Sequence, residues 1–245
     1  MNKRNSQDTV KYIGIAIFSA LAFVVALVCN VIPPIAGFLS LDVKDSVIAI
    51  ASFIYGPIAA VAISFIAALI ELITFSTTGW YGFVMNFASS AVFSLTASLI
   101  YRRHRNINGA LISFFAAVIA TTGVMLLLNK FVTPIYLFDY LGIMPEAAAK
   151  EYVTSILPTV LLPFNFAKSL LNSAVAMMLY KPLSRALKKA KLALTDAVKI
   201  VAKDVASDES APVADPATFN KNSVIILAVG SVALVASVLI LIFLG

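Results

Sequence analysis

Charged side chains are scarce in this chain: Lys, Arg, Asp and Glu make up 12% of 245 residues, against 61% hydrophobic residues. A soluble domain carries about 25% charge, so so little charge with a mean hydropathy of +0.98 points to an integral membrane protein. The single cysteine, Cys29, excludes an internal disulfide framework. The single histidine, His104, sits in the basic run "RRHR", which leaves no His-built metal site and no Ser-His-Asp triad. No G-x-x-x-x-G-K-[ST] loop is present, which excludes ATP binding in the P-loop manner. Without a nucleophile–base pair or a ligand cluster, the chain reads as neither an enzyme nor a metalloprotein.

What is abundant is long apolar runs. They predict helices near 12–31, 46–55, 58–75, 82–101, 109–128 and 158–180, and a further span at 223–244. The second is too short to cross a bilayer upright, so a tilted or partly re-entrant helix is expected. The first follows Lys3, Arg4 and Lys11 in the manner of a signal peptide, but no small-x-small cleavage site follows it. It is therefore read as helix 1.

Basic residues set the expected orientation. With the N-terminus inside, Lys3, Arg4, Lys11, Arg102, Arg103 and Arg105 fall on the cytoplasmic side, as does the run from Lys181 to Lys203. Lys130 and Lys150 fall in the outer loop between helices 5 and 6. The expectation is an all-α, multi-pass protein of the cell membrane with a cytoplasmic N-terminus. Its basic charge serves topology and contact with anionic lipids, not nucleic acid. Three regions are expected: a six-helix substrate-binding domain at 1–182, a basic amphipathic helix and flexible linker at 183–222, and an additional transmembrane helix at 223–245.

The stretch "LPFNFAKSLLNSAVAMMLY", 162–180, carries Asn165, Lys168 and Asn172 at spacing i, i+3, i+7, which places all three on one helical face. A lysine at the centre of a spanning helix costs roughly 2.5–3.5 kcal/mol on insertion scales, so such residues usually face a cavity and mark function. The alternative is a lysine that snorkels to the interface. Reading depth along each span puts Asp42, Lys44, Asp45, Glu71, Asn86, Asn129, Asn165 and Lys168 in one outer layer, while the inner half is apolar. Asp42, Lys44 and Lys130 read equally well as ordinary interface residues. Phe38, Trp80, Tyr81, Phe83, Tyr136 and Phe164 accompany this layer, giving the mixture of apolar wall and few polar groups found in small-molecule sites. Asn129 is expected to end helix 5. Loop 1, "NVIPPIAGFLSLD", has apolar side chains a floppy connector would not need and is read as a lid or a static plug over the cavity. Ala16/Ala20 and Ala22/Ala26 in helix 1 form small-xxx-small pairs that permit close helix approach.

The segments "FLSLDVKD", "YGPIAA", "FSTTGWYGFVMNF", "LLLNKFVTPIYL" and "LPFNFAKSLLN" together resemble the substrate-binding S component of energy-coupling factor vitamin importers, most closely the riboflavin-binding members. The resemblance covers roughly residues 10–182. It implies six helices, a lid-like first loop and an outward pocket. It implies ligand contacts from Asn129, Asn165 and Lys168, to which the polar layer and its aromatics add Asn86, Glu71, Asp42, Phe38 and Tyr136. It also implies a docking face at Ala16 and Ala20 for a transmembrane coupling subunit, which works with two ATPase subunits. Riboflavin is then expected as transported ligand, with no resident cofactor. Its flat ring suits the aromatic wall, and its hydroxyls accept from Lys168 and pair with Asn129 and Asn165.

Two alternatives remain at the level of sequence. One is an S component for another heteroaromatic vitamin or precursor. The other is an ion-coupled secondary carrier in which Glu71 takes the proton.

Overall fold

A computed structural model describes residues 3–180 and Pro182. The amphipathic helix and linker expected at 183–222 and the apolar span expected at 223–245 lie outside the described residues.

The described residues are helical, without a strand. The helices are α1 (Lys3–Cys29), α2 (Lys44–Tyr55), α3 (Pro57–Thr74) and α4 (Gly79–Tyr101), then α5 (Ile107–Tyr140) and α6 (Glu146–Tyr180). Five of them are long and apolar enough to cross a membrane. At about 1.5 Å per residue, α2 spans too little of a roughly 30 Å hydrocarbon layer to do so. It ends where Gly56 takes φ +93°, and Pro57 then opens α3 at the first helical position. The missing N–H of proline costs nothing there. Asn106 caps α5 by accepting a 2.8 Å bond from the Gly109 amide.

The last two helices are much longer than the apolar runs predict. α5 continues past 128 to Tyr140, and α6 begins at Glu146, so only residues 141–145 connect them. Pro134 and Pro145 fall in the stretch expected as the outer loop, and Pro158 at the expected start of helix 6. Pro145 in fact precedes the first turn of α6. Pro134 lies inside α5, which finishes in the π-helical turn Tyr136–Tyr140, closed by a 3.0 Å bond from the Leu141 amide to the Tyr136 carbonyl. Pro158 sits in a second π segment, Leu157–Leu161. The wider π winding absorbs the hydrogen bonds that the prolines cannot make. Asn129 is consequently an interior residue of α5, buried to 1% exposure, and does not end the helix. Lys130 and Lys150 are helical residues, not members of a loop.

Packing places α2 at the centre. Every residue from Lys44 to Ser52 is buried. Val47, Ile48 and Ala51 meet Ala22 of α1 and Ala59, Ile63 and Ala67 of α3. Ala49 and Ile50 meet Phe93 and Ala97 of α4, Phe114 and Ala117 of α5, and Ala176 and Met177 of α6. The many alanines let backbones approach, which is how helices associate where no water is displaced. Serines add direct bonds: Ser98 Oγ donates to the Ser52 carbonyl at 3.0 Å. The exposed surface carries large apolar groups instead, including Ile17, Ile58, Phe65, Ile112, Phe115 and Phe131. Apolar outside and small or polar inside is the pattern of a bundle solvated by lipid.

Candidate functional site

The polar residues gather at the end of the bundle where α2 and α4 begin and α3 finishes. A cavity opens there, with Asn86 of α4, Asn129 and Tyr136 of α5, Asn165 and Lys168 of α6, and Phe38 of loop 1 in its lining. Thr78, Tyr81, Met85, Ser89, Met125, Thr133 and Phe164 complete much of the wall.

Loop 1 covers this cavity. Its tip is a tight hairpin in which the Ile35 amide donates to the Leu39 carbonyl at 3.0 Å and the Leu39 amide donates back to Ile35 at 2.9 Å. The reversal is made by Ala36 at φ +52° and Gly37 at φ +80°, a left-handed pair that costs an alanine but not a glycine. Leu39 is then buried among Tyr136, Leu137, Val153, Leu161 and Phe164 of α5 and α6. The apolar residues of the loop are thus anchors that seat it on the two helices.

Each polar group in the wall is partly occupied and partly open. Asn129 donates to the Met125 carbonyl at 2.7 Å and accepts from Thr133 Oγ1 at 2.9 Å, leaving its second N–H. Asn165 donates to the Leu161 carbonyl at 2.7 Å, and no described residue donates to its carboxamide oxygen. The Lys168 ammonium donates to Asp42 Oδ2 at 2.8 Å and to the Ser40 carbonyl at 3.1 Å. An ammonium has three N–H bonds, so one remains for the cavity. Lys168 is buried, which removes the snorkelling alternative: the helix carries the charge inward to a partner.

Asp42 and Glu71 do not line this cavity. They line a neighbouring one between loop 1, the end of α1 and residues 75–78, which shares Phe38, Ser40, Thr78 and Asn86 with the first. Lys44, which as a sequence reading fits an interface equally well, is 2% exposed. It grips both Glu71 carboxylate oxygens at 2.6 and 2.7 Å and stands 3.9 Å from Asp42 Oδ2. Asn86 Nδ2 donates to Glu71 at 3.1 Å. A continuous row therefore runs Lys168, Asp42, Lys44, Glu71, Asn86, alternating in charge through its first four members. Burial pushes the Asp42 carboxyl up, but the Lys168 and Lys44 ammonium groups outweigh it and hold it at about 2. Asp45 is buried separately and accepts from Ser90 and Ser89.

Asn172, the third polar residue on the α6 face, lies one turn deeper and outside both cavities. Its oxygen accepts from the Ser46 amide at 2.9 Å, and its nitrogen donates to the carbonyls of Asp42 at 2.9 Å and Lys168 at 3.0 Å. It ties α6 to the start of α2. Ala16 and Ala20 are exposed on α1 and line neither cavity. Among the described residues no group of three or more His, Cys, Asp or Glu is placed to hold a metal ion.

Met125 and Thr133, one helical turn on either side of Asn129, and Met85 and Ser89 beside Asn86 were missed as wall residues. The i±4 and i±3 spacing was a usable signal, but reading Asn129 as a helix end hid it on α5.

The family model for the ECF transporter substrate-specific component matches residues 11–180. The chain belongs to this family. The curated "Riboflavin transporter RibU" of Staphylococcus aureus (strain TCH60) is 31% identical over 190 residues, covering 76% of this chain and 97% of that protein. "Riboflavin transporter FmnP" of Bacillus subtilis (strain 168) is 26% identical over 174 residues, covering 69% and 90%. A solved structure described as "Structure and mechanism of the S component of a bacterial ECF transporter" superposes with a TM-score of 0.61 at 30% identity. It covers 74% of this chain and 99% of that one. As an ECF substrate-specific component the chain is a multi-pass membrane transport protein and not an enzyme.

Proposed function

We propose that this chain captures riboflavin at the outer face of the cell membrane and presents it to an ATP-driven module made of a transmembrane coupling subunit and two ATPase subunits. The observation that carries the reading is the cavity wall, where amides from three helices and one free lysine N–H stand among Phe38, Tyr81, Tyr136 and Phe164. A flat, uncharged heteroaromatic with several carbonyls and hydroxyls matches such a wall. Asn129, Asn165, Lys168 and Asn86 supply its polar contacts; Phe38 and Tyr136 face its ring. The likeness to two riboflavin transporters supports the choice of ligand.

The N-terminus lies in the cytoplasm, a reading supported by the basic residues at the opposite end. Six helices then form the binding bundle. Ala16 and Ala20 meet the coupling subunit. A carrier working through Glu71 is disfavoured, because both oxygens of that carboxylate are already held by Lys44.

Uptake of riboflavin into proteoliposomes tests the reading. Accumulation that requires ATP, the coupling subunit and the ATPases supports it. Accumulation by the lone chain under an ion gradient contradicts it in favour of a secondary carrier.

A further inference from the structure

We infer that Glu71 and Lys44 are positioning residues that set ligand affinity from outside the cavity, by deciding which ammonium Asp42 holds. The inference rests on the riboflavin site proposed above.

The geometry poses a competition. Two ammonium groups approach the same oxygen, Asp42 Oδ2: Lys168 at 2.8 Å and Lys44 at 3.9 Å. Both are buried, as is Asp42, so neither lysine has bulk water as an alternative partner. Glu71 resolves the competition by taking Lys44 with both its oxygens. Asp42 is left to Lys168, and Lys168 is thereby aimed with one N–H at the cavity and another at the Ser40 carbonyl of loop 1. The Glu71 contact is thus transmitted through two ion pairs to the ligand-facing lysine and to the base of the covering loop. No side chain along this route needs to move by more than the difference between a direct contact and the present 3.9 Å separation.

Asn86 fixes the far end of the row. It donates to Glu71 Oε2 and also lines the ligand cavity, so the row begins and ends at residues that face the ligand.

Replacing Glu71 by Gln keeps its size and a carbonyl oxygen but removes the charge that holds Lys44. Lys44 then turns to Asp42 and competes with Lys168. The expected result is a riboflavin Kd about tenfold weaker, the scale of one charged hydrogen bond. Amide exchange at residues 35–39 of loop 1 should quicken, with no change in the α5 core at 110–117. Removing the competitor as well should reverse both effects. The double variant Glu71→Gln/Lys44→Met is expected to bind within about threefold of the wild type, because neutralising a buried pair together leaves no orphan charge. A merely structural role for the pair would instead quicken exchange across the bundle, residues 110–117 included, and not at the loop alone.

Calorimetric titration of riboflavin into the purified full chain, with hydrogen–deuterium exchange on the same ligand-free samples, reads both. Wild-type affinity and wild-type loop exchange in Glu71→Gln overturn the inference. So does a folded double variant that binds no better than Lys168→Met or leaves loop exchange fast. The double variant also decides the matter should Glu71→Gln alone fail to fold. A wild type that binds no riboflavin defeats the proposed function, and the exchange arm still tests this inference.

Discussion

Lys168 Nζ lies 2.8 Å from Asp42 Oδ2, a pair that joins the middle of α6 to the foot of the loop covering the cavity. One contact serves two purposes: it makes a buried lysine tolerable, and it aims that lysine at the space the loop encloses. Losing either partner is therefore expected to disturb binding and lid together.

Lys168→Met should weaken riboflavin binding by about 1.5–3 kcal/mol, the range for a hydrogen bond to a charged group. The protein should stay folded, since Lys44 remains beside Asp42. Asn165→Leu removes an acceptor that no described residue uses, together with one bond to the Leu161 carbonyl, and should weaken binding at a cost in stability of about 1 kcal/mol. Unchanged affinity in both variants, measured by calorimetric titration, would remove these residues from the ligand site.

Asn172→Leu should behave in the opposite way. It breaks two buried bonds that tie α6 to residues 42–46 at the start of α2 and one within α6, and each orphaned group costs about 1–3 kcal/mol. A clear fall in Tm is expected by thermal unfolding, with the remaining folded fraction still binding ligand. A variant as stable as the wild type would show that α2 is held elsewhere.

How much of this was readable beforehand depends on the kind of interaction. The helices followed from apolar runs, and the gathering of Asn86, Asn129, Asn165 and Lys168 at one end followed from depth along each run, because a helix rises steadily. The lengths of α5 and α6 did not follow. Pro134 and Pro158 break helices in most settings, and only π winding, which leaves no composition signal, let these continue. The pairing of Lys44 with Glu71, 27 positions apart, was also hidden. Lys44 alone looks like an interface group and Glu71 like a cavity residue, and only the packing of α2 at the centre of the bundle joins them as a buried pair. Asn172 shared a face with Lys168 on the helical wheel, yet the shared face belongs to a clamp one turn deeper.

The hairpin at the tip of loop 1 gives a third prediction. Gly37 sits at φ +80°, where a β-branched residue is strained by about 1–3 kcal/mol. Gly37→Val should therefore loosen the loop and speed ligand dissociation, read by stopped-flow fluorescence, while leaving Tm within a few degrees. An unchanged dissociation rate would make the loop a bystander to binding.

Ala16 and Ala20 are exposed on one face of α1. Leucine at both positions should block ATP-dependent uptake in the reconstituted complex and leave riboflavin affinity untouched, because neither residue lines a cavity. Uptake at the wild-type rate would remove the docking role, and equal loss of binding and uptake would point to misfolding.

The most direct measurement is a fluorescence titration of riboflavin into the purified full chain in detergent, without coupling or ATPase subunits. Stacking of the flavin ring against the aromatic wall should quench its emission to a saturating, one-to-one end point, and Lys168→Met should shift that curve to higher ligand concentration. A wild type that leaves flavin emission unquenched at all concentrations, while remaining folded, would contradict the assignment of this cavity to riboflavin.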